Sequence, residues 1–322
     1  MKIAIIDDYQ DAFRQASAFG RLAGHEVVVF RDTEKDPVRL AERLRDAEAV
    51  VLTQQRSNFT RATIERLTGL KLICQTGRNA SHIDTAACTA QGILISAGGG
   101  GSPSGTAELT WGLIIGSLRH IPHEVARLKQ GHWQSTTGTM LHGKTLGVYA
   151  YGNIGSRVAA VGRAFGMKVI CWGREASLAR AREAGYEVAA SREAFFSAAD
   201  VLSLHLPLNA GTKGIVTAQD LAAMKPSALI VNTSRAPIIA AGALEASLKN
   251  GRPGFAAVDV FEDEPVLGAA HPLIGMDNVL CTPHLGYVVR ESYEVLYNAA
   301  IEHLLAYAKG EPINLLNPEA RK

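Results

Sequence analysis

Residues 144–155 read Lys144-Thr145-Leu146-Gly147-Val148-Tyr149-Ala150-Tyr151-Gly152-Asn153-Ile154-Gly155. An apolar run passes straight into a turn of small residues, and helical spacing follows from Ser156 to Phe165. A strand, a glycine turn and a helix in that order form the phosphate end of a dinucleotide-binding unit. Gly152 lets the backbone approach a pyrophosphate, and Gly155 lets the helix pack close to the strand. The helix N-terminus offers amide donors and the positive end of its dipole. On this reading Tyr151, Gly152, Asn153, Ile154 and Gly155 form the cofactor loop. The first glycine of the pattern is replaced by Ala150. Alanine disfavours positive φ, so a slightly altered turn is expected.

Outward from this loop, short apolar runs alternate with longer amphipathic ones. Lys168–Trp172, Val201–Leu204, Ala228–Asn232, Gly254–Val260 and Asn278–Cys281 read as strands after it. Ile3–Ile6, Glu26–Phe30, Ala49–Leu52, Leu72–Gln75 and Ile93–Ile95 form an earlier set, separated by helical spacing such as Pro37–Asp46 and Arg61–Leu67. Such alternation predicts an α/β chain with two doubly wound parallel sheets. Between the sets, Gly98–Gly105 reads as a flexible stretch. One long helix is predicted over Thr106–Gln130, with Gly131 as its stop. Its apolar residues Leu109, Trp111, Leu113, Ile114, Ile115 and Leu118 occupy more than one face, and a homodimer built on it is expected, with packing of both faces within one chain as the plainer alternative. A last helix over Glu291–Lys309 cannot form a domain alone and is expected to pack back on the first set. The domains predicted are therefore residues 1–100 with 288–322, and an inserted domain over 101–287.

Composition fits this picture and removes other classes. The 322 residues are 47% hydrophobic with a net charge of +2, too weak a field to point to nucleic acid. No apolar run approaches the length of a membrane span, and Met1–Asp8 reads as a strand and not a signal peptide. Cys74, Cys88, Cys171 and Cys281 lack metal-ligand spacing and read as buried reduced thiols, with a cytoplasmic location following by default.

The acidic ribose anchor of NAD-binding units is due at the end of the strand Lys168–Trp172. Gly173 stands there instead, followed by Arg174 and Glu175. A missing carboxylate removes repulsion toward a 2′-phosphate, and a guanidinium can pair with one. The reading favours NADP over NAD; a solvated Arg174 with NAD as cofactor is the alternative.

Three further stretches sit at strand ends: Ile230-Val-Asn-Thr-Ser-Arg235-Ala-Pro, Ala257-Val-Asp259-Val-Phe-Glu262-Asp-Glu264-Pro265 and Thr282-Pro-His284-Leu-Gly286-Tyr287. With the glycine loop, in this order, they resemble the D-isomer-specific 2-hydroxyacid dehydrogenases, from end to end of the chain. The resemblance implies a Rossmann-like cofactor domain inserted in a flavodoxin-like substrate domain. It implies hydride transfer between a nicotinamide dinucleotide and a small D-2-hydroxy or 2-oxo acid. Arg235, Glu264 and His284 would be the catalytic three. Chemistry suits each: a planar cation for the substrate carboxylate, an imidazole titrating near working pH, and a carboxylate to orient it. By the same resemblance Asp259 would meet the nicotinamide carboxamide. His205 and Pro207 would lie along the adenosine and Thr212 near the ribose, and Thr106 and Thr233 would complete the cofactor set. In the first domain Gly77, Arg78 and Asn79 match the loop whose amides hold the substrate carboxylate; small residues are usual there, and Arg78 could reach a second acidic group. A dinucleotide-sensing module that binds protein partners, and a formate-type dehydrogenase, are the competing readings within the family.

Overall fold

The computed structural model describes residues 1–321. The chain divides into two compact units, residues 1–102 together with the chain from Val288 onward, and Pro103–Tyr287.

The first unit begins with β1 (Lys2–Ile6), β2 (Glu26–Val29), α1 (Pro37–Arg43), β3 (Ala49–Leu52), α2 (Arg61–Ile64), β4 (Leu72–Thr76), α3 (Thr85–Gln91) and β5 (Leu94–Gly98). Every strand pair is parallel, in the order β2-β1-β3-β4-β5. This is the flavodoxin-like order. Ala4, Ile6, Val50, Leu52, Ile73 and Ile95 face Leu40, Leu44, Ile64, Leu67 and Cys88 from the helices. Alternate residues such as Ile3, Ile5, Val51 and Cys74 are equally buried, so both faces of the sheet are covered. Asp36 caps α1 ahead of Pro37, and Asp84 caps α3, which ends at Gly92 with φ +70°.

The second unit contains α4 (Pro103–Leu118), α5 (Ile121–Lys129), β6 (Thr145–Tyr149), α6 (Gly155–Ala164), β7 (Lys168–Trp172), α7 (Glu175–Glu183) and β8 (Glu187–Val188). It continues with α8 (Arg192–Ala198), β9 (Val201–Leu204), α9 (Ala218–Ala223), β10 (Leu229–Asn232), α10 (Ala243–Lys249), β11 (Phe255–Val258) and β12 (Val279–Cys281). The parallel order is β12-β11-β10-β9-β6-β7-β8, the Rossmann order with one strand added. Connectivity reverses between β6 and β9, which are neighbours. One face packs Leu146, Val148, Val169, Val201 and Val231 against Trp111, Ile114, Val158 and Leu178. The other packs Tyr149, Ile170, Leu202, Ile230 and Val258 against Phe195, Phe196, Leu221 and Leu244. Finally α11 (Arg290–Ala308) returns to the first unit and covers β4 and β5.

The single helix expected over Thr106–Gln130 is two helices, and it starts earlier, at Pro103. Pro122 explains the break. It has no N–H to donate to the carbonyl of Leu118, and its ring would clash there. That carbonyl instead accepts the Thr139 amide at 2.8 Å, and His120 turns the chain with φ +51°. Trp111, Leu113, Ile114 and Leu118 are spent inside the unit's own core, so they do not form the exposed face on which a dimer was expected. The exposed apolar side chains lie on α5 and after it: Ile121, Val125, Leu128, Trp133 and Met140. Among the described residues no helix is long and apolar enough to cross a membrane.

Candidate active site

In open parallel sheets ligands bind beyond the carboxyl ends of the strands, at the point where strand order reverses. In the second unit that point lies between β6 and β9. The chain leaves β6 at Ala150, whose φ of +75° keeps the left-handed turn in spite of its Cβ. The turn is tied down from β7 and α7. The Ala150 amide donates to the Trp172 carbonyl at 2.8 Å, the Tyr151 amide to the Ser177 hydroxyl at 2.7 Å, and Arg180 to the Tyr151 carbonyl at 3.2 Å. Ser177 and Arg180, which the sequence reading passed over, help to hold the turn.

This loop suits a pyrophosphate. Among the described residues no acceptor takes the amides of Asn153, Ile154 and Gly155, whereas the next amide, that of Ser156, closes on the Gly152 carbonyl. A Cβ at Gly152 would meet nothing within 4 Å, so there is open space over the turn. A Cβ at Gly155 would run into the Ala150 carbonyl oxygen, which is why the helix can start so close to the strand. At the end of β7, Gly173 adopts φ +153°, a conformation that residues with side chains rarely take. Arg174 is exposed and makes no side-chain hydrogen bond or ion pair among the described residues, while Glu175 is drawn along α7 into an ion pair with Arg182 at 2.6 Å.

From β9, His205 follows Leu204. Its Nε2 meets the Ser203 hydroxyl at 2.9 Å, and its Nδ1 is buried without a partner. Burial alone pushes its pKa down to about 3, so the ring is neutral. Thr212 donates to the Pro207 carbonyl at 2.6 Å and closes that loop. Thr233 and Thr110 share a hydroxyl contact of 2.9 Å. Thr106 donates to the Gly286 carbonyl at 2.9 Å, so α4 is fastened to the loop after β12.

The three motif residues come from loops after β10, β11 and β12. Arg235 follows a tight turn in which Asn232 bonds both the Ser234 amide and the Arg235 carbonyl. Glu264 is anchored by the Phe261 amide at 2.9 Å, and its other oxygen meets His284 Nδ1 at 2.6 Å. Both side chains are mostly shielded, 18% and 17% exposed. His284 itself sits at φ +53°, and the edge of its ring meets Tyr287 with 5.7 Å between centroids. What holds this strained loop is Asp259. Fully buried at the end of β11, it accepts the Thr282 hydroxyl at 2.6 Å, the Leu285 amide at 2.6 Å and the Gly286 amide at 2.9 Å. Burial raises its pKa.

In the first unit the corresponding strand ends carry a separate cluster. Gly77 has φ +83°, and its amide is taken by the Gly98 carbonyl at 2.7 Å, so it is not open to a ligand. The amides of Arg78 and Asn79 have no protein acceptor. The residues after β3 face the same loop. Gln55 donates to the Asn79 carbonyl at 3.4 Å, and the Gln54 side chain lies 3.7 Å from where a Gly77 Cβ would be. Sequence reading took the end of β4 and missed that of β3. The polar run Gln54-Gln55-Arg56-Ser57 after a fully buried strand was the available signal.

Comparison with known proteins agrees with the fold. Residues 111–286 match the model of the D-isomer specific 2-hydroxyacid dehydrogenase, NAD binding domain. A glyoxylate reductase from Aeropyrum pernix is 36% identical over 263 residues, 79% of this chain and 78% of that protein. A D-3-phosphoglycerate dehydrogenase from Methanocaldococcus jannaschii is 34% identical over 97% of this chain, which spans only 58% of that relative's length. A solved putative D-3-phosphoglycerate dehydrogenase from Ralstonia solanacearum superposes with a TM-score of 0.94 at 48% identity, covering 100% of this chain and 98% of that one. This chain belongs to the D-isomer-specific 2-hydroxyacid dehydrogenase family. Its reaction class is oxidoreduction of a 2-hydroxy acid with a nicotinamide dinucleotide.

Proposed function

We propose that the chain interconverts a short 2-oxo acid and its D-2-hydroxy acid, with His284 exchanging the proton, Glu264 orienting it and Arg235 holding the substrate. The observation that carries this is the 2.6 Å contact between His284 Nδ1 and Glu264. With Nδ1–H donating to the carboxylate, the tautomer and tilt of the ring are fixed, and Nε2 is the nitrogen assigned to the substrate oxygen. The Arg235 guanidinium is assigned to the substrate, whose carbonyl it polarises as charge builds on the oxygen, and in the first unit the open amides of Arg78 and Asn79 are assigned to a carboxylate. When bound, a nicotinamide dinucleotide would supply the hydride for reduction of the 2-oxo acid and accept it in the reverse direction. Asn153, Ile154 and Gly155 would hold its pyrophosphate, and Thr106, His205, Pro207, Thr212, Thr233 and Asp259 line or brace its loops. The relatives named for glyoxylate and hydroxypyruvate support a small substrate.

NADP is favoured over NAD. Arg174 is unpaired at the ribose end, and the one acid beside it, Glu175, is held by Arg182. We also assign the exposed stripe Ile121, Val125 and Leu128 to contact with a second copy of the chain. With Trp133, 78% exposed, it offers apolar side chains of the kind that mark interaction sites.

Steady-state turnover of a panel of 2-oxo acids with NADPH and NADH tests the assignment. His284→Ala should lose orders of magnitude in kcat while still binding dinucleotide. Binding without turnover in the native chain would favour a dinucleotide-sensing role instead. A preference for NADPH that collapses in Arg174→Ala supports the cofactor reading; a preference for NADH unchanged in that variant opposes it. Sedimentation of Val125→Glu reports on the second copy.

A further inference from the structure

We propose that Arg78 makes this enzyme select 2-oxo acids that carry a second anionic group. The inference depends on the assignment of the Arg78–Asn79 amides to the substrate carboxylate. Arg78 stands at the carboxyl end of β4, where a parallel sheet of this type binds its ligand. It is exposed, and among the described residues it makes no ion pair. Two acids of the same unit are engaged elsewhere. Asp84 faces Arg61 at 3.5 Å, and Asp7 is buried, accepting the Thr33 hydroxyl at 2.5 Å with the Arg56 charge beside it.

The loop that presents Arg78 is pinned. Phe59 donates to the His82 carbonyl and Asp84 to the Phe59 carbonyl, each at 2.9 Å, and Asn79 folds its own side chain back to the Ser81 amide at 3.0 Å. The side chains around it, Gln54, Gln55 and Asn79, are neutral amides. Two open backbone amides suffice for one carboxylate. With that group satisfied, the guanidinium remains as a planar two-pronged donor with a full charge and no partner in the protein. A phosphate or a distal carboxylate on the substrate chain meets that demand; a methyl or hydroxymethyl group leaves the cation in water.

The test compares kcat/KM for phosphohydroxypyruvate and 2-oxoglutarate with that for hydroxypyruvate and 2-oxobutyrate, in the full-length chain and in Arg78→Ala and Arg78→Lys. The ratio is read, so a general loss in a variant cancels. The native chain should prefer the doubly charged acids, and Arg78→Ala should lower the ratio about ten- to a hundredfold. Lysine should restore part of it. The phosphate and carboxylate arms tell which anion is read. A ratio unchanged in Arg78→Ala, or a native preference for the neutral chains, overturns the proposal. Absence of turnover with every acid counts against the catalytic assignment instead. In that case calorimetric titration with 3-phosphoglycerate, in the presence of dinucleotide, decides Arg78: no binding, or equal affinity in native and alanine chains, refutes it.

Discussion

Replacing Ala150 by glycine should stabilise the protein, although it removes a methyl group from the edge of the core. Ala150 holds φ +75°, between β6 and the amides that would receive the pyrophosphate. A residue with a Cβ is strained in the left-handed region by about 1–2 kcal/mol. Glycine relieves that strain but gives the unfolded chain more freedom, a loss of about 0.4–1 kcal/mol. The midpoints leave a gain near 0.8 kcal/mol, and loss of the partly buried methyl trims it, so Tm should rise by about 1–2 °C for a unit of this size. Calorimetric melting with urea titration would measure it, and dinucleotide affinity should rise or stay level because the loop keeps its path. Gly152→Ala is the companion. Its φ is not positive and its Cβ would meet open space, so apo stability should hold while dinucleotide binding falls. An Ala150→Gly chain less stable than the native one by 1 kcal/mol or more would refute the argument that the turn is strained.

Other outcomes follow from the same contacts. Glu264→Gln keeps the shape but not the charge opposite His284. It should cut kcat at least tenfold and shift the pH profile of kcat/KM, and an unchanged profile would separate the two residues functionally. Asp259→Asn replaces one accepting oxygen by an NH2 group that faces at least one of three donors, and should cost about 2–3 kcal/mol, with a fall in kcat as the His284 loop loosens; an unaltered melt would exclude that bracing role. His205 is held neutral with its pKa near 3, whereas the unfolded chain takes up a proton below about pH 6.5. Stability is therefore complete above that pH and falls as pH drops toward 3, at up to about 1.4 kcal/mol per unit. Urea unfolding of His205→Asn between pH 7 and 4.5 should show a shallower slope than the native chain; equal slopes would clear this ring.

The parts of the fold that were legible are those written in apolar runs. Strands buried on both faces, such as Ala49–Leu52 and Val201–Leu204, have no polar alternation to confuse them, and the glycine turn after β6 announces the second sheet. Strand β8, two residues at the sheet edge beginning with exposed Glu187, carries no such run and was not read. The break at His120 had its signal in Pro122, outweighed by apolar residues that continue across it. At the site, side-chain chemistry pointed to Arg235, Glu264 and His284, but the means of holding them did not show. Ala150 and His284 adopt backbone conformations that their own residue types disfavour. Those conformations are imposed from other strands, by Trp172 on one and by the Asp259 loop contacts on the other. Likewise the commitment of the Gly77 amide to Gly98 depends on the pairing of β4 with β5.

The return of α11 to the first unit sets an order of events during synthesis. Strands β1–β5 leave the ribosome before the second unit, yet the helix that covers β4 and β5, and brings Tyr297 within 3.2 Å of Thr53 and its ring centroid 5.3 Å from that of Phe13, is made after it. In between come the 185 residues from Pro103 to Tyr287. At about 5–20 residues per second their translation takes roughly 10–40 s. For that interval the early sheet lacks its last layer, while the later unit is contiguous and can close by itself. The unit begun second is thus the one able to finish first, and the nascent chain carries a half-covered apolar sheet that a chaperone would have reason to shield.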